Sequence, residues 1–371
     1  MSLQKSKAYD PFPAYVAPDH ARRNNFDILR FLLAFLVLLS HGRDIFGLEV
    51  ESFIFYQAEL AVNGFFIISG FLISWSIDRS FEVKNYALKR FMRIYPLYFV
   101  VITAQLILLA MLNEADNSLA QMLRYYGANL LTLNFIQPSF GTMVDEPING
   151  SLWTIKVEVM FYMVMPIYIM LLRRFGLRFL LLSFAAAFAY RFGLEAMDQL
   201  RWARQIPGSM AFFITGMVAY FYGPYVLKIT SPTGRGRNLQ SRFRERVILL
   251  AILASFITIL ALSNNFYAQS LAFLLGLALS IYFIAFHLPP LRVPVDISYG
   301  VYLWHVPVFL TIRHFYGTVA EPYALYIGGM FSVLLLAYLS AKFIEEPSIR
   351  WASRKVKAWR QAPTYDNMKP L

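Results

Sequence analysis

The sequence contains no cysteine, which excludes disulfides and thiolate metal sites. It is also short of charge. Only 15% of its residues are charged while 58% are hydrophobic, well outside the range of an average soluble domain. There is no G-x-S-x-G elbow, no Walker loop and no cluster of metal ligands, so serine-hydrolase, P-loop and metalloenzyme readings have nothing to stand on. No internal repeat or low-complexity tract is visible, and no soluble domain is expected at either end. A cleaved signal peptide is not expected either. The first apolar run starts near Phe26, after a polar, proline-containing lead, and no small-residue cleavage site follows it.

Long apolar runs fill the remainder. A helix needs about 20 apolar residues to cross a bilayer core. On that basis ten spans are expected, at roughly 26–45, 59–77, 93–112, 151–171, 178–194, 207–224, 247–263, 268–287, 298–316 and 323–343. The fold class is therefore all-α, a polytopic membrane protein. The net charge of +12 sits in short connectors between these runs, which points to membrane topology rather than to nucleic acid. Most of the 34 Lys and Arg fall in alternate connectors, and the rule that cytoplasmic loops are basic then places both termini in the cytoplasm. The expected division is a cytoplasmic N-terminal tail over 1–25, a transmembrane domain over 26–345 and a cytoplasmic C-terminal tail over 346–371. The long outer connector near 113–150, with Glu114, Asp116, Asp145 and Glu146, is expected to lie as a lid on the outer face. The basic connector near 225–246, with Arg235, Arg237, Arg242, Arg244 and Arg246, is a topology signal or a site for anionic headgroups or a polyphosphate.

Ionisable groups inside a bilayer are costly, so each one is a candidate for function. Arg30 and His41 flank FLLAFLVLLS, and eleven residues is three helical turns, so they share a helix face about 16 Å apart. Alternatively Arg30 is an interfacial anchor and His41 a packed polar residue. Glu158 lies in SLWTIKVEVMFY, near one face with Ser151 and Tyr162, and a carboxylate at that depth must pair or take a proton. A structural ion pair is the competing explanation. Arg90 and Arg93, in KRFMRIYP, stand one turn apart at the expected inner mouth, where guanidinium forks match phosphate oxygens. Taken alone they would read as ordinary inner-face charge. His305, in SYGVYLWHVPV, precedes Pro307, which loosens the helix. A histidine hydrogen-bonded to a neighbouring span is the simpler reading there. Gly64, Ser69 and Gly70 in NGFFIISGFLIS are small residues that let helices approach closely, and Asn63 beside them could face His41.

Taken together and in this order, FDILRFLLAFLVLLSHG, FFIISGFLIS, KRFMRIYP, GSLWTIKVEVMFY, SYGVYLWHVP and the Glu345-Glu346-Pro347 that follows the last span resemble the membrane acyltransferase-3 family over nearly the whole chain. One departure is Asn63-Gly64, where many members carry Val-Asp, so a carboxylate near the outer end of span two is missing. The resemblance implies a multi-pass O-acyltransferase of the bacterial inner membrane. Its donor would be cytoplasmic acyl-CoA, usually acetyl-CoA, with no permanently bound cofactor and no metal. Its acceptor would be a carbohydrate hydroxyl, with a cell-envelope polysaccharide or its lipid-linked precursor favoured. On that footing His41, Glu158 and Arg30 are the expected catalytic residues, with His41 as general base or acyl carrier, and Arg90 and Arg93 hold the CoA phosphates. Asn63, Ser69, Ser151, Trp153, Tyr162 and His305 are the expected substrate-binding residues. Membrane lipids and a separate extracytoplasmic partner complete the expected contacts; nucleic acid is not among them. The competing class is a transporter or flippase of a glycan precursor or small anion, because intramembrane Arg, His and Glu also serve substrate pathways.

Overall fold

In a computed structural model the described residues are 24–79, 82–112, 119–133, 149–222, 239–317 and 320–361. The N-terminal tail, most of the 113–150 connector with its four carboxylates, the first half of the 225–246 connector with Arg235 and Arg237, and the last ten residues lie outside them. The described residues are helical, without a strand among them. The helices are α1 (Phe26–Phe46), α2 (Ala58–Arg79), α3 (Val83–Leu112), α4 (Leu119–Leu130), α5 (Leu152–Ala196), the single turn α6 (Leu200–Ala203), α7 (Ile206–Phe221), α8 (Leu239–Leu262), α9 (Phe266–His287), α10 (Ser298–Tyr316) and α11 (Pro322–Ser340). A π-helical turn, Ala341–Glu345, joins α11 to α12 (Glu346–Gln361).

Each of the ten expected apolar segments falls on one of these helices. Five helical stretches are long and apolar enough to cross a membrane by length and composition: Ala58–Ile77, Val83–Ala110, Leu152–Ala196, Phe266–His287 and Pro322–Gln361. A straight α5 of 45 residues would extend about 68 Å, over twice a hydrocarbon core. It is not straight. Gly176 adopts φ 64°, ψ −147°, outside helical space and in a region a glycine enters without penalty. The chain folds back there, since the Tyr168 hydroxyl reaches the Ser183 hydroxyl at 2.6 Å and the Tyr168 and Phe179 rings lie 5.0 Å apart. Apolar stripes face outward with helical period, as at Met163, Ile167 and Met170 (64, 59 and 62% exposed) and at Phe331 and Leu335 (69 and 59%). A soluble protein does not leave such stripes in water. The chain is a multi-pass membrane protein.

Two compact units divide the helices. The first holds α1 up to Val37, α2, α5 from Thr154 onward, and α6 to α9. In it α2 lies along α7 with two glycines at the crossing. A Cβ on Gly70 would run into the Phe213 carbonyl, and one on Gly216 into the Ile67 carbonyl, so the backbones touch as the small residues of FFIISGF require. The Asn25 side chain closes the end of α9 on the start of α1. Its amide donates to the Ile284 and Pro289 carbonyls (2.9 and 3.1 Å), and its oxygen accepts from the Leu291 N–H at 2.8 Å.

The second unit holds the rest of α1, α3, α4, α10, α11 and α12. Gly300 brings α10 within reach of Ala337 on α11, and the Trp304 indole donates to the Ser340 hydroxyl at 2.9 Å. Tyr98 of α3 donates to the Asn129 carbonyl of α4 at 2.7 Å, and Tyr125 of α4 donates to Gln105 of α3 at 2.7 Å. Two segments are helical beyond the expected spans. The KRFMRIYP stretch, expected to precede a span that begins near residue 93, is already helical, because α3 starts at Val83 and carries Arg90 and Arg93 in its third and fourth turns. Residues 346–361, within the expected C-terminal tail, form a helix. Ala352 and Val356, four apart, are buried and give α12 an apolar stripe.

Candidate active site

The second unit brings two histidines together. His41, near the end of α1, and His305, in the third turn of α10, face each other with Nδ1 of His41 2.8 Å from Nε2 of His305. Their rings are nearly coplanar, with 4° between planes and 5.0 Å between centroids. His305 is fully buried. Its other nitrogen, Nδ1, lies 3.2 Å from the Val301 carbonyl, which can only accept. That contact puts the His305 proton on Nδ1 and leaves Nε2 as an acceptor. His41 must then donate from Nδ1, and its own Nε2 keeps a lone pair. Two hydrogen bonds in series thus choose the tautomer of His41.

Pro307 helps hold this arrangement. It has no N–H, so the Leu303 carbonyl one turn earlier loses its helical donor. The Asn149 amide donates there instead, at 3.1 Å. The oxygen of Asn149 accepts from the Ser151 hydroxyl at 2.5 Å, and the Ser151 carbonyl accepts from the Tyr302 hydroxyl at 3.2 Å. All four side chains are buried. The Gly-Ser-Leu-Trp motif is therefore tied to α10 beside His305. Trp153 is half-buried at the start of α5.

Arg93 is held between two carboxylates of the same unit. Its guanidinium lies 2.9 Å from Asp296, just before α10, and 3.8 Å from Glu345 in the π-helical turn. Glu345 is almost fully buried. Asp296 also accepts from the Ser298 N–H at 3.1 Å and the Ser298 hydroxyl at 2.6 Å, which fixes the first turn of α10. The Tyr299 hydroxyl donates to the Ile94 carbonyl at 2.9 Å. Arg90 lies one turn before Arg93, its guanidinium 5.6 Å from the Tyr86 ring.

Glu158 belongs to the first unit. One carboxylate oxygen accepts from the Tyr162 hydroxyl and, at 3.4 Å, from the Ser69 hydroxyl. Asn63 is buried on α2 in the same unit. Arg30 pairs with Asp27, one turn back on α1, at 2.5 Å.

Several ion-paired residues were not anticipated from the sequence. Asp296 and Glu345 neutralise Arg93, and the Glu345-Glu346-Pro347 run was the available signal. Arg191 is 2% exposed and bridges Glu59 of α2 (2.6 Å) and Glu195 (2.5 Å), while Arg204 takes the other oxygen of Glu59 at 2.8 Å. The four-residue spacing of Arg191 and Glu195 made that pair legible. Among the described residues no group of His, Asp and Glu is placed to hold a metal ion.

The chain is similar to several known proteins. A family model described as "Acyltransferase domain" matches residues 23–342. Nodulation protein 10 of Rhizobium leguminosarum bv. viciae is 29% identical over 364 residues, covering 88% of this chain and 94% of the relative. O-acetyltransferase OatA of Staphylococcus aureus is 24% identical over 323 residues, covering 78% of this chain and 52% of OatA, so the aligned part is about half of that relative's length. An O-acetyl transferase of Shigella phage Sf6 is 28% identical over 155 residues, 38% of this chain and 45% of the relative. No solved structure matches. A match over most of the chain shows that the chain belongs to the membrane acyltransferase-3 family, and with its O-acetyltransferase relatives that it is an acyltransferase.

Proposed function

We propose that this protein is an O-acetyltransferase that takes acetyl from acetyl-CoA and passes it to a hydroxyl of a cell-envelope or secreted polysaccharide, or of its lipid-linked precursor. The observation that carries the reading is the histidine pair. General-base attack by an alcohol needs an unprotonated ring nitrogen beside the reacting oxygen, and the hydrogen bonds through His305 leave Nε2 of His41 in that form. The acceptor hydroxyl gives its proton to Nε2 as its oxygen attacks the thioester carbonyl. The carbon–sulfur bond breaks, and the leaving thiolate takes the proton back from the imidazolium as CoA. An ester and a free thiol result, and His41 is restored. As Nε2 gains the proton, the Nδ1–H bond to His305 becomes charge-assisted and strengthens, so the pair favours the transition state over the ground state. His305 therefore acts through His41.

Glu158, with Ser69 and Tyr162, supplies a polar group inside α5 suited to a sugar hydroxyl. Arg30 is assigned to the donor path. The names of OatA and of the phage relative, both O-acetyl transferases, support acetyl as the group moved. In this reading ten spans place both termini in the cytoplasm of a bacterial inner membrane, and the donor enters from that side. The basic connectors support that orientation.

The test uses inside-out membrane vesicles containing the protein and acetyl-CoA labelled in the acetyl group. Label should move into glycan with the wild type and stay in CoA with His41→Ala at equal protein level. Label that moves equally with His41→Ala removes the base role. Donor left intact by the wild type, with glycan crossing the membrane, makes the protein a transporter.

A further inference from the structure

The end of α1 beyond His41 is built as a platform. Helix α1 stops at Phe46, and Gly47 follows with φ 63°, a conformation that glycine adopts without penalty. The Leu48 N–H returns to the Arg43 carbonyl at 2.9 Å and the Gly47 N–H to the Asp44 carbonyl at 3.3 Å, the paired bonds of a Schellman cap. The chain turns back there, and a short 3₁₀ turn over Phe53–Tyr56 brings the Tyr56 ring against Arg43, whose guanidinium lies 3.8 Å from the ring centroid. The loop is tied on both sides. The Tyr56 hydroxyl donates to the Val50 carbonyl at 3.1 Å, and the Tyr323 hydroxyl of α11 donates to the Glu49 carbonyl at 3.3 Å. Arg43 donates to Asp44 through Nε at 2.9 Å and also through Nη2, and both bonds go to one oxygen, Oδ1. The other oxygen, Oδ2, has no partner among the described residues. The Asp44 side chain and Tyr56 are each more than half exposed. Asp44 stands three residues after His41 on the same helix, so the two are neighbours on its surface with Cβ atoms about 5–6 Å apart.

We propose that Tyr56, Arg43 and Asp44 form the platform for a neutral sugar ring of the acceptor, with Asp44 accepting a hydrogen bond from the hydroxyl next to the one that gives its proton to His41. The inference rests on the acyl-transfer reading above and narrows its acceptor to neutral hexose units. Each part of the platform answers a part of a pyranose. Arg43 covers one face of the Tyr56 ring, and the other face is a flat apolar seat for the C–H side of a sugar. An ionised carboxylate only accepts, so Oδ2 calls for a hydroxyl. Hydroxyls on adjacent carbons of one ring can reach Asp44 and His41 together. An acidic sugar or a phosphate fits less well, because the charge of Arg43 is already answered by Asp44 and the open oxygen repels a second anion. An anchor in the headgroup layer would account for the Tyr56 ring but gives the open carboxylate oxygen no use. Arg43 holds both the ring and the carboxylate in place, so little ordering is left to be done when the sugar arrives.

The full chain is purified into nanodiscs of phosphatidylcholine, and saturation-transfer NMR is recorded with the methyl glycosides of glucose, galactose, mannose, rhamnose, N-acetylglucosamine and glucuronate. At least one neutral glycoside should receive saturation from the wild type. Asp44→Asn and Tyr56→Ala should each weaken that binding about tenfold, the worth of one charge-assisted contact or of one ring. Glu51→Gln, in the same loop, should not change it. In turnover with the glycoside that binds, Asp44→Asn should raise the KM for the glycoside about tenfold and leave the KM for acetyl-CoA as it was, a split that a merely structural role does not produce. The proposal is overturned if the wild type binds no neutral glycoside, if it prefers the glucuronide, or if Asp44→Asn binds as the wild type does. It is also overturned if both KM values rise together as the unfolding temperature falls, which makes the loop a membrane anchor. Failure of the acyl-transfer reading is distinct: the wild type then consumes no acetyl-CoA, while glycoside binding is still read directly.

Discussion

Replacing His305 with phenylalanine tests the chemistry most directly. The ring volume is nearly kept at a fully buried site, and what disappears is the acceptor 2.8 Å from His41 Nδ1. A neutral hydrogen bond contributes about 0.5–1.5 kcal/mol, and a buried donor left without an acceptor costs about 1–3 kcal/mol. His41 can escape that cost by moving its proton to Nε2, the nitrogen that should act as base. The bond is also about twice as strong once His41 becomes an imidazolium, so its loss falls more on the transition state than on the resting enzyme. Together these give about 1.5–3 kcal/mol, or a drop in kcat of about 10- to 150-fold, with little change in KM for acetyl-CoA. His305→Gln offers an amide oxygen to the same Nδ1–H and should recover activity to within about threefold. The assay is simple because the chain has no cysteine: a thiol-reactive dye reads CoA release without a signal from the protein. If His305→Phe keeps kcat within twofold of wild type, or if Gln is no better than Phe, the tautomer argument is refuted.

Two further outcomes concern the frame of the site. Arg93→Gln should destabilise the protein by about 3–5 kcal/mol, because it strands the buried Glu345 and the partly buried Asp296; thermal unfolding in detergent measures this, and Arg93→Gln with Glu345→Gln should regain part of the loss. An unchanged unfolding temperature would instead mark Arg93 as a residue not needed for the fold. Asn149→Ala should cost about 1–2 kcal/mol in the same measurement, since the Leu303 carbonyl loses its donor. Adding Pro307→Ala should offset that loss, because an alanine N–H can close the helix on Leu303; an additive further loss would contradict the account.

Much of the architecture was legible because a bilayer imposes one strong constraint. A span must be apolar over a fixed length and must satisfy its backbone internally, so each expected apolar segment falls on a helix, two of them on α5, and five helical stretches are long and apolar enough to cross a membrane. Gly176 between Arg174 and Leu177 also falls where a turn was expected. Pairing between helices was not legible. His41 and His305 are separated by 264 residues, and nothing in either local pattern says that their rings meet. The sequence reading of His305 as a histidine hydrogen-bonded to a neighbouring span holds, but only the fold names the neighbour as His41, the candidate base. Arg93 was misleading for a related reason. The spacing Arg90-x-x-Arg93 suggested two equal phosphate ligands, but the carboxylates that answer Arg93 come from residues 296 and 345, far along the chain. Charge type is visible in a sequence; the neutralising partner of a given charge is visible only in the fold.

That difference also explains why a single helix can organise the second unit. Helix α10 is fixed at one end by charge and along its length by hydrogen bonds. Asp296 joins its start to Arg93, and Tyr299 donates to the carbonyl beside it on α3. Two turns later Asn149 fills the vacancy that Pro307 leaves on Leu303, and His305 meets His41. A proline in a span would ordinarily invite a kink, because it removes one backbone hydrogen bond. Here the missing bond is supplied by a side chain from the Asn149–Ser151 segment, so the proline becomes a point of attachment for the loop that precedes α5. An imidazole used as a base needs its position fixed to within a fraction of an ångström. Attachments on both sides of His305, to α3 below and to Asn149 above, provide that rigidity without charging the interior around the histidines.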